Sequence, residues 1–228
     1  MARPETRLKA AVIDRLFEAK AVDSDSVLVS EMMVANWSRR ADIVLANGKL
    51  WAFEIKSESD KLARLPGQLE SFAYHFEKFV VVVAPRFEEP VRMMLPEAVG
   101  LWVEERPGVL VERVRPRAMP MAKDASIALM TVVELRSLLA CNGVANLKDA
   151  PRQRLEALAR DFPATDLANA ARNAIKRRHR KRHAAFVKKR ELQCTGRAMG
   201  VLRKYAKRSV ESDTKDLYVE TLPLVDIA

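Results

Sequence analysis

Apolar residues recur at Leu8, Ala11, Val12, Leu16 and Phe17, the spacing of one helical face, and Pro4 suits its first turn. The period predicts an amphipathic helix over 4–20. Over 27–36 and 41–56 it changes to alternation, rich in β-branched and aromatic residues and interrupted at Asn47-Gly48 by a strong hairpin signal. Pro66 and Gly67 introduce a helix over 66–77. The unbroken apolar run Phe79–Ala84 then requires a strand covered on both faces. A short helix is expected near 88–95, and a second hairpin at 99–105 and 109–115, turning at Pro107-Gly108. After Pro116 and Pro120 strand signals thin out, and three helical segments follow near 127–141, 150–160 and 164–208. The pattern predicts an α/β core over residues 1–120 and an all-helical segment over 121–228.

The register of the first hairpin decides which polar residues cooperate, because side chains alternate faces along a strand. A three-residue loop, Ala46-Asn47-Gly48, with Gly48 left-handed as a bulge, puts Ile43, Leu45, Trp51, Phe53 and Ile55 on one face. The other face then carries Asp42, Ala52, Glu54 and Lys56. A two-residue turn would split the carboxylates and bury Asp42 beside Phe53, at a cost of several kcal/mol for an unpaired charge. Two carboxylates at close range repel unless a proton or cation lies between them. Mg²⁺ or Mn²⁺ on Asp42 and Glu54, with the Ile55 carbonyl as a further ligand, would meet that need and activate a water. Lys56 would orient or deprotonate that water and stabilise developing negative charge.

The acid in Arg40-Ala41-Asp42-Ile43-Val44, the Glu54-Ile55-Lys56 triplet behind Trp51 and Phe53, and the αβββαβ order over residues 4–84 resemble the PD-(D/E)XK nuclease superfamily. Glu54 to Ser57, Asp60, Arg64, Leu65 and Gln68 look like a small, largely uncharacterised bacterial branch with an appended helical segment. The resemblance implies a restriction-endonuclease-like core with a central mixed sheet. It also implies a Mg²⁺-dependent endo- or exonuclease with metal ligands Asp42 and Glu54, and Lys56 assisting the nucleophile. The chain departs from the family pattern in two places. Ala41 replaces the usual proline, the exonuclease glutamine–tyrosine motif survives only as Gln68 with Phe72 at the aromatic position, and Tyr74 lies two residues further on. For a further acid, Glu31 ranks ahead of Glu5 and Glu18, because a residue on the first strand can face Asp42.

The net charge of +10 is local: residues 172–208 hold 15 Lys and Arg against one acid, and residues 209–228 hold one against five. Such a surplus points to nucleic acid, DNA ahead of RNA, through Lys176, Arg177, Arg178, Arg180, Lys181, Arg182, Lys188, Lys189 and Arg190. Arg40 and Arg64 are added near the acids, although Arg39-Arg40 serve equally well to neutralise Glu31 and Asp42, and Arg64 to pair with Asp60. A tail basic on nearly every side, without a bulky apolar face, argues against a membrane surface. No spanning segment or metal-type cysteine spacing is present, so a cytoplasmic protein with reduced Cys141 and Cys194 in packing roles is expected. A homodimer is an option if both strands of a duplex are cut. The rival readings are a non-catalytic nucleic-acid-binding protein on the same scaffold, and a regulator with a helix-turn-helix within 127–160.

Overall fold

The computed structural model describes residues 3–34 and 39–202. Pro4 in the first turn and the stripe Leu8, Val12 and Leu16 build α1 (Pro4–Glu18), which ends before Lys20 at φ 53°. There follow β1 (Val27–Val34), β2 (Arg39–Ala46), β3 (Leu50–Lys56), α2 (Leu65–His75), β4 (Lys78–Val83), α3 (Glu88–Arg92), β5 (Gly100–Arg106) and β6 (Val109–Val114). The six strands form one sheet in sequence order. β1, β2 and β3 are antiparallel, β3, β4 and β5 parallel, and β6 returns antiparallel to β5. The parallel step from β3 to β4 is carried by α2, as a crossover connection requires.

The segment expected as one helix over 127–141 is broken into α4 (Lys123–Ala128) and α5 (Val132–Cys141). Thr131 caps α5 in a reciprocal pair with Glu134. α6 (Arg152–Ala159) and α7 (Ala164–Leu192) follow, and the chain turns extended at Gln193 before α8 (Thr195–Ala198), so the last long helix stops well short of 208. Cys141 and Cys194 are free and exposed rather than packed. No helix among the described residues is long and apolar enough to cross a membrane.

Both faces of the sheet are covered. One face packs Leu28, Ile43, Leu45, Phe53, Val80 and Val82 against α1, α8 and Phe186 of α7. The other packs Val44, Ala52, Val81 and Val83 against α2, α4, α5, α6 and the first half of α7. Residues on both sides of position 120 share this second core. The Val-rich run is β4, in the middle of the sheet and buried on both sides.

The hairpin register differs in detail from the expected one. Ala46 pairs with Leu50, so the three loop residues are Asn47, Gly48 and Lys49, and Gly48 does not adopt a positive φ. Asn47 does the turn's work, its Oδ1 accepting from the Lys49 amide at 2.9 Å and its Nδ2 donating to the Ala21 carbonyl at 3.0 Å. Because a one-residue shift of a three-residue loop preserves parity, Ile43, Leu45, Trp51, Phe53 and Ile55 still share a face.

Candidate active site

The site lies where the β1–β2–β3 ladder changes course. On β1, Val27 and Val29 face the second core, but beyond Glu31 the residues facing it are Met32 and Val34, so the alternation slips by one. On β2, Val44 and Ala46 face that core, and beyond Asp42 it is Ala41. The pairs Ser30 with Ile43 and Met32 with Ala41 bracket the slip, which places Glu31 directly opposite Asp42. Glu31 takes φ 59°, a left-handed conformation uncommon for a residue with a side chain. Pairing of β2 with β3 stops at Ile43 and Phe53, so the strands part just where Asp42 and Glu54 would have met.

That parting frees the Ile55 amide, which donates to Asp42 Oδ2 at 3.0 Å. Asp42 therefore does not lie simply on the face it was expected to share with Glu54, because parity is lost at the kink. Its Oδ1 accepts from Lys9 Nζ of α1 at 2.9 Å. Lys9 is 1% exposed and also meets Glu5 at 2.6 Å and Glu31 at 3.2 Å. Burial alone would lower the Lys9 ammonium, but the carboxylates of Asp42 and Glu5 outweigh it and hold it above the ordinary lysine range. Lys9 was not anticipated from the sequence. Its signal was a charged residue set at helical spacing within the apolar stripe of α1.

On the neighbouring strand, Lys56 Nζ donates to Glu54 Oε1 at 2.8 Å and to Gln68 Oε1 of α2 at 2.8 Å, and Gln68 Nε2 donates to Glu54 Oε1 at 2.5 Å. Gln68 thus closes a triangle with the two β3 side chains. Glu54 and Lys56 are each 3% exposed, so theirs is a buried pair and not a surface ion pair. Glu54 Oε2 is buried without a hydrogen-bond partner among the described residues. Burial first, and then the charge of Asp42, push the Glu54 carboxyl up to about 7, against the pull of Lys56 and Gln68. Among the described residues, no group of three or more His, Cys, Asp or Glu side chains is arranged to hold a metal ion.

The flanking residues divide. Arg40 pairs with Glu31 at 3.0 Å and stays half in solvent, while Arg64 is exposed at the start of α2. Asp60 does not pair with Arg64. It accepts from the Ser57 amide and hydroxyl, and its own carbonyl accepts from Arg86. Phe72, at the motif's aromatic position, packs edge-on to Phe76 and Phe79 in the core, and Tyr74 is exposed. Glu18 lies at the far end of α1 from Lys9, where it is exposed.

The basic helix is not charged on all sides. Leu167, Ala171, Ile175 and Phe186 give α7 an apolar face that is buried. Several of the proposed nucleic-acid contacts are spent holding α7 down. Lys176 and Arg180 meet Asp25 at 2.5 and 2.9 Å, Arg178 meets Glu134 at 3.0 Å, and Arg190 meets Asp14 at 2.9 Å while covering the Phe17 ring. His183 Nδ1 accepts from the Leu28 amide on the edge strand β1 at 3.2 Å. Arg177, Lys181, Lys188 and Lys189 are exposed and without an ion pair among the described residues, and Arg182, also without one, is half-buried beside the face that carries Ile175 and Phe186. Arg203, Lys204, Lys207 and Arg208 lie outside the described residues. The helix-turn-helix reading has little support: residues 142–151 separate α5 from α6, longer than the three- or four-residue turn of that motif.

A mixed sheet covered on both faces, with a buried acid and lysine cluster where two strands part, defines a mixed α/β protein with one candidate site at a ladder break. The chain belongs to the bacteriophage P4 protein cII family, whose model matches residues 1–203. Protein cII of Enterobacteria phage P4 is 35% identical over 179 residues, 77% of this chain and 67% of that protein. Among solved structures, a protein of unknown function from Silicibacter pomeroyi is similar at a TM-score of 0.43 and 18% identity, over 62% of this chain and 93% of that one.

Proposed function

We propose that the chain is a metal-dependent nuclease of the PD-(D/E)XK kind, hydrolysing phosphodiester bonds of DNA, or of RNA as a second choice. The observation that carries the reading is Glu54: a carboxylate held by Lys56 and Gln68, pushed up by burial and then by Asp42, with Oε2 lacking a hydrogen-bond partner among the described residues. Leaving such an oxygen unsatisfied is costly, and a hard cation would satisfy it. The order α1, β1, β2, β3, α2, β4, with β3 and β4 parallel, supports a restriction-endonuclease-like core.

Mg²⁺ or Mn²⁺ fits this donor set, because Mg²⁺ keeps several waters and needs only one or two carboxylates. Glu54, Asp42 and the Ile55 carbonyl would hold it. When bound, the ion supplies charge neutralisation at the phosphate and a more acidic water. Lys56, fixed by Glu54 and Gln68, orients the attacking water and offsets charge on the phosphate. The water oxygen bonds to phosphorus, the bond to the leaving sugar oxygen breaks, and the water's proton passes to that oxygen. Glu31 shapes the site by holding Lys9 and Arg40 beside Asp42. The exposed residues Arg177, Lys181, Lys188 and Lys189 would follow a phosphate backbone, giving affinity without sequence preference.

One observation favours a binding-only protein on the same scaffold: both Asp42 oxygens are engaged, by Lys9 and by the Ile55 amide. Plasmid, linear and single-stranded substrates, with and without Mg²⁺ or Mn²⁺, separate the two readings. The nuclease reading expects metal-dependent cleavage lost in Lys56→Ala and Glu54→Gln with folding retained. Binding without cleavage under either metal would sink it.

A further inference from the structure

Lys9 Nζ has three protons and three carboxylate neighbours, Glu5 one turn before it on α1, Glu31 on β1 and Asp42 on β2, at 2.6, 3.2 and 2.9 Å. All of its donor capacity is used, in a place with almost no solvent. Glu31 is held at a left-handed φ in mid-strand with its carboxylate shared between Lys9 and Arg40. Such strain persists where surrounding contacts over-determine it. The three acids come from three separate elements, and the ammonium is their common point.

We propose that Lys9 is the resident counter-ion of this site, a positioning residue that occupies Asp42 Oδ1 and competes with a divalent cation for it. The inference rests on the metal reading of Asp42 and Glu54. When a cation takes Asp42, Lys9 keeps Glu5 and Glu31, which lie on its other sides and hold it as a cation near the site. The site is thereby tuned to bind metal weakly, and Asp42 is kept aligned on the Ile55 amide in the metal-free protein. A lysine with a purely structural role would affect folding and leave metal affinity unchanged.

The test is Mn²⁺ affinity of the full chain, read from the paramagnetic resonance signal of the free ion, for wild type, Lys9→Met and Glu54→Gln. Removing a unit positive charge a few ångströms from a dication is expected to tighten binding about tenfold or more in folded Lys9→Met. In parallel, Mg²⁺ is titrated into wild type and followed on the Lys9 ε-methylene resonance, which is expected to shift as Asp42 is taken over. This arm decides the matter if Lys9→Met does not fold. Equal or weaker Mn²⁺ affinity in a folded Lys9→Met, or a Glu54 carboxyl resonance that moves with Mg²⁺ while Lys9 stays still, overturns the proposal. If wild type binds Mn²⁺, Glu54→Gln does not and Lys9→Met matches wild type, the counter-ion role fails and the metal reading stands. If neither wild type nor Lys9→Met binds the ion, both fail. A site gained only in Lys9→Met would support the masking role directly.

Discussion

At the scale of single residues, Glu54 makes the sharpest pH prediction. Its carboxyl is raised from 4.5 to about 7, so between those values the folded chain binds more protons than the unfolded one. Stability therefore falls as pH rises through that window, and is flat above it. Urea unfolding without metal, at about pH 5 and about pH 8, should show this loss in wild type and less of it in Glu54→Gln. Mg²⁺ should recover part of the loss at the higher pH, because it binds the ionised form. An unchanged slope in Glu54→Gln would sink the assignment. The cluster of Glu54, Lys56 and Gln68 was legible in the sequence, because strand parity and one helical offset bring them together, whereas parity alone does not place Asp42. The kink at Glu31 was not, since a left-handed glutamate in mid-strand has no local signature. Without it, neither the turn of Asp42 toward α1 nor its contact with Lys9 follows.

At the scale of elements, α7 has two kinds of basic residue that composition cannot tell apart. Arg172 reaches Glu77, which is 3% exposed and also takes the Leu50 amide and Lys49, so it ties α7 to the sheet. Arg172→Ala should cost about 2–3 kcal/mol, part of it the penalty of a poorly paired buried carboxylate. Lys188→Ala with Lys189→Ala should leave the stability nearly unchanged, within about 0.5 kcal/mol. It should reduce nucleic-acid affinity and lower the salt slope by about one unit per lost phosphate contact. Comparable thermal losses in both variants would erase the distinction. His183 adds an acid sensitivity of opposite sign to that of Glu54. Burial, then Arg180, hold its ring below the usual histidine value, so the stability it contributes is present above about pH 6.5 and is lost as pH falls toward the folded value. His183→Gln, which keeps an acceptor for the Leu28 amide without titrating, should lose less melting temperature on acidification than wild type. α1 was legible because it buries one helical face, β4 because an unbroken apolar run is buried on both faces, and the second hairpin because Pro107-Gly108 marks its turn. The break at Thr131 was missed because helical residues flank it on both sides.

At the scale of the whole molecule, the path of α7 decides what the basic segment is. Its first half puts Ala171, Ala174 and Ile175 into the core on one face of the sheet, and Phe186 enters the core on the other. The helix therefore passes along edge strand β1, where His183 takes the Leu28 amide, and so shields a strand that would otherwise offer its edge to other chains. The charge run at 176–183 concealed this, because lysine, arginine and histidine that hold a helix down read as solvated ones until their partners Asp25, Glu134 and Leu28 are known. A detachable tail would weaken substrate binding when cut and leave the remainder folded. The observed packing predicts otherwise: removing residues from 172 onward opens both cores and the β1 edge together, giving a product that aggregates or unfolds. Phe186→Ala is the milder test. Its ring is fully buried, 6.4 Å from Phe17 and 6.5 Å from His183, and its loss should cost about 3–5 kcal/mol in chemical denaturation with nucleic-acid affinity of the folded fraction unchanged. A Phe186→Ala protein as stable as wild type would mean that α7 is a docked appendage and that the sheet stands without it.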